Sequence, residues 1–274
     1  MTTDVPMTPI AVLGAAGRMG CAIVRLLRQT PGAVLAAAVD VPGSPRIGQD
    51  AGQVAGGETI GIPITDAVPA SSTAAVWIDF SSPAATASTA ARAAERGAAL
   101  MVGTTGVSPA GKQALAEAAR RIPVVFAPNT SVGVSVLLKL VADAARLLGP
   151  GYDLEIAETH HRMKRDSPSG TALRLAEALA ESTGRDLARD ARYERHGDIG
   201  PRPVAEIGIQ TLRGGDVVGD HTVFFLGDGE RIEITHRATN RDMFARGAIR
   251  AALWLQGRRP GLYDMRDVLG LPKD

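Results

Sequence analysis

The chain has 274 residues, enough for one large domain or two modest ones. Hydrophobic residues make up 45% and charged residues 22%, which supports a substantial core and excludes global disorder. Thirty Lys and Arg against 29 Asp and Glu leave a net charge of +1, and aromatics are only 4%. That balance argues against a nucleic-acid binder working through bulk charge or base stacking. The single cysteine, Cys21, excludes an internal disulfide framework and a multi-cysteine zinc site.

No targeting signal is expected. The first ten residues carry Asp4 and two prolines and lack the basic and apolar regions of a signal peptide. The longest uncharged stretch, Ile122 to Leu138, contains Pro123, Pro128, Asn129 and Gly133, which do not suit a membrane span. A soluble, cytoplasmic protein without a membrane partner follows.

In chain order, Ile10 to Leu13 is a short apolar run ending at Gly14. Arg18 to Gln29 follows with Met19, Ile23, Leu26 and Leu27 at helical spacing. Val34 to Val39 is a second apolar run, closed by Asp40, and Ala74 to Phe80 is a third. Pro83 to Arg96 predicts a helix with proline in its first turn. Ala98 to Val102 leads into a Gly-Thr-Thr-Gly segment, and Ser108-Pro109 predicts the cap and first residue of a helix to about Arg121. Val124 to Phe126 is a further strand. Continuously apolar strands alternating with helices are what a buried parallel sheet requires.

The rhythm changes near Asn129. Ser131 to Leu148 predicts a helix with Leu137, Leu140, Val141 and Leu148 on one stripe. Leu154 to Ile156 predicts a short strand and Thr171 to Glu181 a helix. Three β-like runs follow, at Val204 to Thr211, Val217 to Leu226 and Arg231 to Arg237, with Gly214-Gly215 and Gly227-Asp228-Gly229 as turn signals. In the last run Ile232 and Ile234 alternate with polar residues, as in a sheet with one wet or partner-facing side. A final helix from about Arg241 to Gln256 ends at Gly257.

Gly14, Gly17 and Gly20 give a G-x-x-G-x-x-G spacing between the first strand and the first helix. Glycine lets the backbone approach a pyrophosphate, and the helix start presents free N–H groups. A tight strand-to-helix turn would need the same glycines for geometry alone. Asp40 strengthens the dinucleotide reading, because a carboxylate at the end of the second strand can accept hydrogen bonds from both ribose hydroxyls. It would repel the 2′-phosphate of NADP, and Val41 brings no compensating charge. NADH is therefore the expected form of the dinucleotide, and NADPH stays possible through Arg46.

Glu158 to Asp166 is the densest ionisable cluster in the chain, and it precedes Ser167-Pro168-Ser169-Gly170-Thr171 at a helix start. Cations, helix-start N–H groups and hydroxyls together suit an anion, such as a substrate carboxylate. A histidine can deliver a proton near neutral pH. A solvated loop, a metal site and a nucleic-acid contact compete; the metal reading is weak because adjacent histidines rarely chelate one ion and no third ligand stands at helical spacing. His196, His221 and His236 stand isolated and read as structural.

At this point the chain resembles the 4-hydroxy-tetrahydrodipicolinate reductase family. The resemblance runs through GAAGRMG at Gly14 to Gly20, GTTG at Gly103 to Gly106 and APNTSVGV at Ala127 to Val134. It continues through ETHHRMKRDSPSGTA at Glu158 to Ala172, GDVVGDHTV at Gly215 to Val223 and YDMRDVL at Tyr263 to Leu269. It implies NAD(P)H-dependent reduction of a small dicarboxylate in lysine and diaminopimelate biosynthesis. The implied dinucleotide contacts are Gly14, Ala15, Ala16, Gly17, Arg18, Met19, Asp40, Gly103, Thr104, Thr105, Ala127, Pro128, Asn129 and Thr130. His160 would be the general acid and Lys164 would assist protonation or substrate polarisation, while His161, Gly170 and Thr171 would hold carboxylates, with Ser169 bordering them. Many relatives carry Glu-Arg where this chain has Asp40-Val41. No metal is implied, and a homotetramer is.

The expected fold is α/β: a Rossmann-like dinucleotide-binding domain (1–130 and 241–274) plus an α+β substrate and oligomerisation domain with an open mixed sheet (131–240). Another two-domain dehydrogenase acting on an amino-acid-derived carboxylate, or a non-catalytic NAD-binding sensor, would share parts of this pattern.

Overall fold

The apolar runs of the first half become the strands of one parallel sheet. In the computed structural model, which describes residues 6–272, the chain begins with β1 (Thr8–Leu13), α1 (Arg18–Leu27), β2 (Ala33–Val39), α2 (Ala51–Val54), β3 (Ile64–Thr65) and β4 (Val76–Asp79). It continues with α3 (Thr86–Arg96), β5 (Ala99–Val102), α4 (Pro109–Ala118), β6 (Pro123–Phe126) and α5 (Val132–Leu148). Then come β7 (Asp153–His160), α6 (Gly170–Thr183), α7 (Leu187–Asp190), β8 (Ala191–Arg192), β9 (Ile207–Arg213), β10 (Gly219–Leu226) and β11 (Arg231–Ala238). The chain closes with α8 (Asp242–Leu255), β12 (Gly261–Tyr263) and α9 (Met265–Leu269). It divides into two units, one running to Val132 and resuming at Asp242, the other Gly133–Arg241.

The first unit holds a seven-stranded parallel sheet in the order β12-β6-β5-β4-β1-β2-β3. Side chains alternate across a strand, so β1 sends Ile10 and Val12 to one face and Ala11 and Leu13 to the other. The first pair packs under α1 and α8, with Ile23, Leu27, Ala248 and Leu255. The second packs under α3 and α4, with Ala90, Ala94, Leu115 and Ala118. Two covered faces explain why these strands read as unbroken apolar runs. Ser108 caps α4 by accepting from the Gly111 amide, with Pro109 in the first turn.

The second unit holds a mixed five-stranded sheet in the order β11-β10-β7-β9-β8. β7 runs parallel to β9 and antiparallel to β10. One face carries Leu154, Ile156, Ile207, Ile209, Val223 and Phe225 against α5 and α6, with Leu137, Val141, Leu175 and Leu179. Leu140 departs from the expected stripe and is 49% exposed. The edge strand β11 is largely exposed, Ile232 included, in keeping with its alternating sequence. β7 extends four residues past the expected end at Ile156, because its inward polar residues find partners, described below.

Candidate active site

In the first unit, the sequence-selected residues collect on one edge of the sheet. Gly14 to Met19 follow β1, Asp40 follows β2, Gly103 to Thr105 follow β5 and Ala127 to Thr130 follow β6. All lie beyond the carboxyl ends of parallel strands. The order reverses between β1 and β4, the switch point where such sheets bind ligands.

The local chain is built for close approach. Gly14 has φ of 78°, and a Cβ there would meet the Phe80 carbonyl oxygen at 2.6 Å. A Cβ on Gly20 would stand 2.1 Å from the Gly14 carbonyl oxygen, so glycine is what lets α1 sit against the turn. No side chain caps α1 at Gly17, which leaves its first turn able to receive an anion. Ala15 and Ala127 are buried, so those two positions can offer only backbone, while Ala16 and Met19 are partly buried against the core. Asp40 is half-buried and accepts from the Ser44 hydroxyl at 2.6 Å. The Thr130 hydroxyl donates to the Phe244 carbonyl at 2.6 Å, and Asn129 Oδ1 accepts from the Ser131 amide at 2.9 Å. Those two side chains therefore shape the turn after β6. These features fit a bound dinucleotide. Cys21 packs beside the core, and burial pushes its thiol pKa up.

The end of β4 also belongs to this edge and was missed by sequence reasoning. Phe80 follows β4 and lies against Gly103 and Gly14. Asp79 is fully buried; its Oδ1 accepts from the Ser81 amide at 2.8 Å and hydroxyl at 2.5 Å, and its Oδ2 has no partner. Burial raises its pKa above the ordinary carboxylate value. A carboxyl raised in the fold contributes its full stability below the unfolded pKa and loses it as pH climbs through the folded one. Asp79→Asn is expected to raise Tm by a few degrees near pH 8, roughly 1 kcal/mol, and to change little near pH 4. Equal shifts at both pH values would contradict a destabilising buried carboxylate.

In the second unit, the ionisable cluster gathers around the end of β7. Leu154, Ile156, Glu158 and His160 alternate onto its inward face. Glu158 is fully buried. It accepts from His160 Nδ1 at 2.5 Å, from both terminal Arg213 nitrogens at 2.8 Å, and from the Ser169 amide at 3.0 Å. Burial would push the Glu158 carboxyl up, but Arg213, His160 and the Ser169 amide hold it below its ordinary value. His160 is 8% exposed. Burial carries its pKa below the usual histidine value, partly offset by Glu158, with Lys164 and Arg213 adding to the fall.

Ser169 lies beneath the surface at the start of α6. Its hydroxyl accepts from the Ala172 amide at 3.1 Å and pairs with His221 Nε2 at 2.9 Å. It thus holds the helix start in place, with Gly170 and half-buried Thr171 next in line. Lys164 reaches the Asp166 carboxylate at 2.8–2.9 Å. Half-buried His161 lies 3.4 Å from the Arg241 guanidinium. Sequence reasoning passed over Arg213, His221 and Arg241. His221, read as isolated, sits edge-on to His160 at 5.1 Å between centroids, and burial with the neighbouring His160 lowers its pKa to about 4. Only the pairing of β10 with β7 brings it there. Among the described residues no group of His, Cys, Asp and Glu is arranged to hold a metal, and no helix is long and apolar enough to cross a membrane.

The family model described as dihydrodipicolinate reductase, N-terminus, matches residues 8–130, and the one described as dihydrodipicolinate reductase, C-terminus, matches 133–269. A 4-hydroxy-tetrahydrodipicolinate reductase of Anaeromyxobacter dehalogenans is 59% identical, covering 97% of this chain and 98% of the relative. One of Myxococcus xanthus is 51% identical, covering 97% and 99%. The fold is shared with a dipicolinate-bound dihydrodipicolinate reductase from Paenisporosarcina sp. TG-14, at a TM-score of 0.76, 22% identity and coverage of 94% and 97%. An amine dehydrogenase from Mycobacterium smegmatis shares the fold more distantly, at a TM-score of 0.61, 12% identity and coverage of 99% and 97%. The chain therefore belongs to the dihydrodipicolinate reductase family and is an oxidoreductase that uses NAD(P)H to reduce 4-hydroxy-tetrahydrodipicolinate in lysine and diaminopimelate biosynthesis.

Proposed function

We propose that His160 is the proton donor of this reduction, and that the residues around it hold the substrate carboxylates. The observation that carries this is the buried His160–Glu158 pair standing beside the start of α6 in the most cationic segment of the chain. The substrate loses water to give an unsaturated ring dicarboxylate. The nicotinamide supplies a hydride to it. Negative charge then builds on the conjugated C=N system, and fixed cations and N–H donors lower the barrier. In this reading the His160 imidazolium quenches that charge with its proton. The Lys164 ammonium polarises the substrate, while His161 and the amides of Gly170 and Thr171 receive carboxylates. Ser169, anchored by His221, keeps those amides in place. That a solved structure of the fold is dipicolinate-bound supports a planar dicarboxylate as ligand.

The dinucleotide is assigned to Gly14 through Met19, Asp40, Gly103 through Thr105 and Ala127 through Thr130. NADH is the preferred form. Asp40 can accept from ribose hydroxyls and would repel a 2′-phosphate, and exposed Val41 adds no cation. Arg46, now donating to Gln49 at 3.1 Å, is the group through which NADPH could still be used. A rate assay with freshly generated substrate tests this: kcat/KM is expected to be higher with NADH. A preference for NADPH would reverse the role given to Asp40.

The enzyme is further proposed to work in the cytoplasm as a homotetramer assembled through the second unit. The exposed Leu212 and Ile232 and the edge position of β11 support an interface there.

A further inference from the structure

We infer that Glu158 is a positioning residue for His160: it fixes the ring with Nδ1–H on the carboxylate, so that the proton is delivered from Nε2 of an imidazolium. The inference rests on the reading of His160 as proton donor.

Residues two apart on a strand are neighbours on one face, so the Glu-x-His spacing on β7 sets the carboxylate against the ring. The carboxylate is held from several sides. Its Oε1 accepts from the Ser169 amide, an Arg213 nitrogen and, at 3.3 Å, the Thr211 hydroxyl. Its Oε2 accepts from the other Arg213 nitrogen and from His160. A guanidinium and a backbone amide can only donate, and together they hold Glu158 ionised, so that it accepts from the ring as well. Neutral His160 therefore carries its proton on Nδ1 and a bare Nε2. A proton on Nε2 exists only in the imidazolium, the form Glu158 stabilises.

The surroundings support the same orientation. The charged and titratable groups facing His160 are Glu158 on its own strand, Arg213 from β9, His221 from β10 and Lys164 from the loop after β7. The Ser169 hydroxyl accepts from the Ala172 amide and pairs with His221 Nε2, and burial beside His160 lowers the His221 pKa to about 4. Near neutral pH His221 is therefore a neutral ring and adds no second cation. On the other side of His160, a Cβ at Gly219 would lie 2.8 Å from Nε2. Glycine at that β10 position leaves Nε2 clear, while the bond at Nδ1 stops the ring from turning away.

A buried Arg213–Glu158 pair could serve the fold alone, so the test needs readouts that a structural role would not move. Glu158→Gln keeps the volume but presents an amide N–H₂ to the ring. Its kcat is expected to fall about 10–100-fold with KM within about threefold. An acid must be protonated, so kcat falls as pH rises through the His160 pKa. Loss of the neighbouring negative charge lowers that pKa and moves the falling limb to lower pH. Glu158→Asp, which keeps the charge, is expected to restore part of both. Long-range ¹H–¹⁵N spectra should show neutral His160 protonated at Nδ1 in the wild type and at Nε2 in Glu158→Gln.

A neutral wild-type ring protonated at Nε2 would overturn the inference, whether or not any variant folds. So would a Glu158→Gln enzyme whose limb does not move. In a His160→Gln background, Glu158→Gln should cost kcat nothing further; a full additional loss would mean Glu158 acts elsewhere. If His160→Gln itself leaves kcat intact, the His160 reading fails. If it is damaging while Glu158→Gln is silent, only the present inference fails.

Discussion

His160→Gln is expected to lower kcat by about 10²–10⁴-fold while the Kd for the dinucleotide barely changes. Glutamine fills a similar volume and its amide can still donate to the buried Glu158 carboxylate. It cannot deliver a proton to the reduced ring. The residues proposed for the dinucleotide lie in the other unit, on the strand ends of the parallel sheet, so their affinity should be untouched. Steady-state rates with substrate generated in place, beside a calorimetric titration with NADH, check both halves. An unchanged kcat would remove His160 from the acid role.

Lys164→Ala is expected to damage kcat and KM together, lowering kcat/KM on the order of 10²-fold. In the proposed role the ammonium attracts the dicarboxylate in the ground state and stabilises added charge in the transition state. Its present partner, Asp166, is 62% exposed at the side chain, so removing the cation leaves a carboxylate that water can solvate. The fold should lose little, in the range of about 0–1 kcal/mol usual for exposed pairs. That separates a binding effect from unfolding, and a melting curve recorded with the kinetics shows which has occurred. A rise in KM with kcat unchanged would confine Lys164 to ground-state binding.

The two units differ in how much of them could be read from residues alone. β1 is legible because Ile10, Ala11, Val12 and Leu13 are all buried, two beneath each helix layer. β3 and β12 are two and three residues long and carry no periodicity to find. β7 reads as ending at Ile156, since Glu158 and His160 break the apolar run. They stay in the strand because Arg213, 55 residues later, neutralises the carboxylate. The stripe through Leu140 failed for a similar reason: helical spacing locates an apolar face but not its edges, and Leu140 lies outside the cover of the sheet.

The site divides in the same way. The glycine turn, Asp40 and the His160 to Thr171 segment are contiguous in the chain and chemically conspicuous. Arg213 and His221 come from separate strands and reach the cluster only through sheet register. Ser169 was visible as a hydroxyl at a helix start, but its bonds to the Ala172 amide and to His221 were not. The Glu158–His160 contact has a local trace, the i, i+2 spacing, which becomes informative only once β7 is known to continue as a strand.

The central claim is that His160 gives up its proton as an imidazolium, and the pH dependence of kcat tests it most directly. In the wild type, kcat should fall as pH rises through the His160 pKa of the substrate complex. In His160→Gln the residual rate should be low and should lack that limb. A limb with the same midpoint in both enzymes would contradict the claim, because the titrating acid would then be another group.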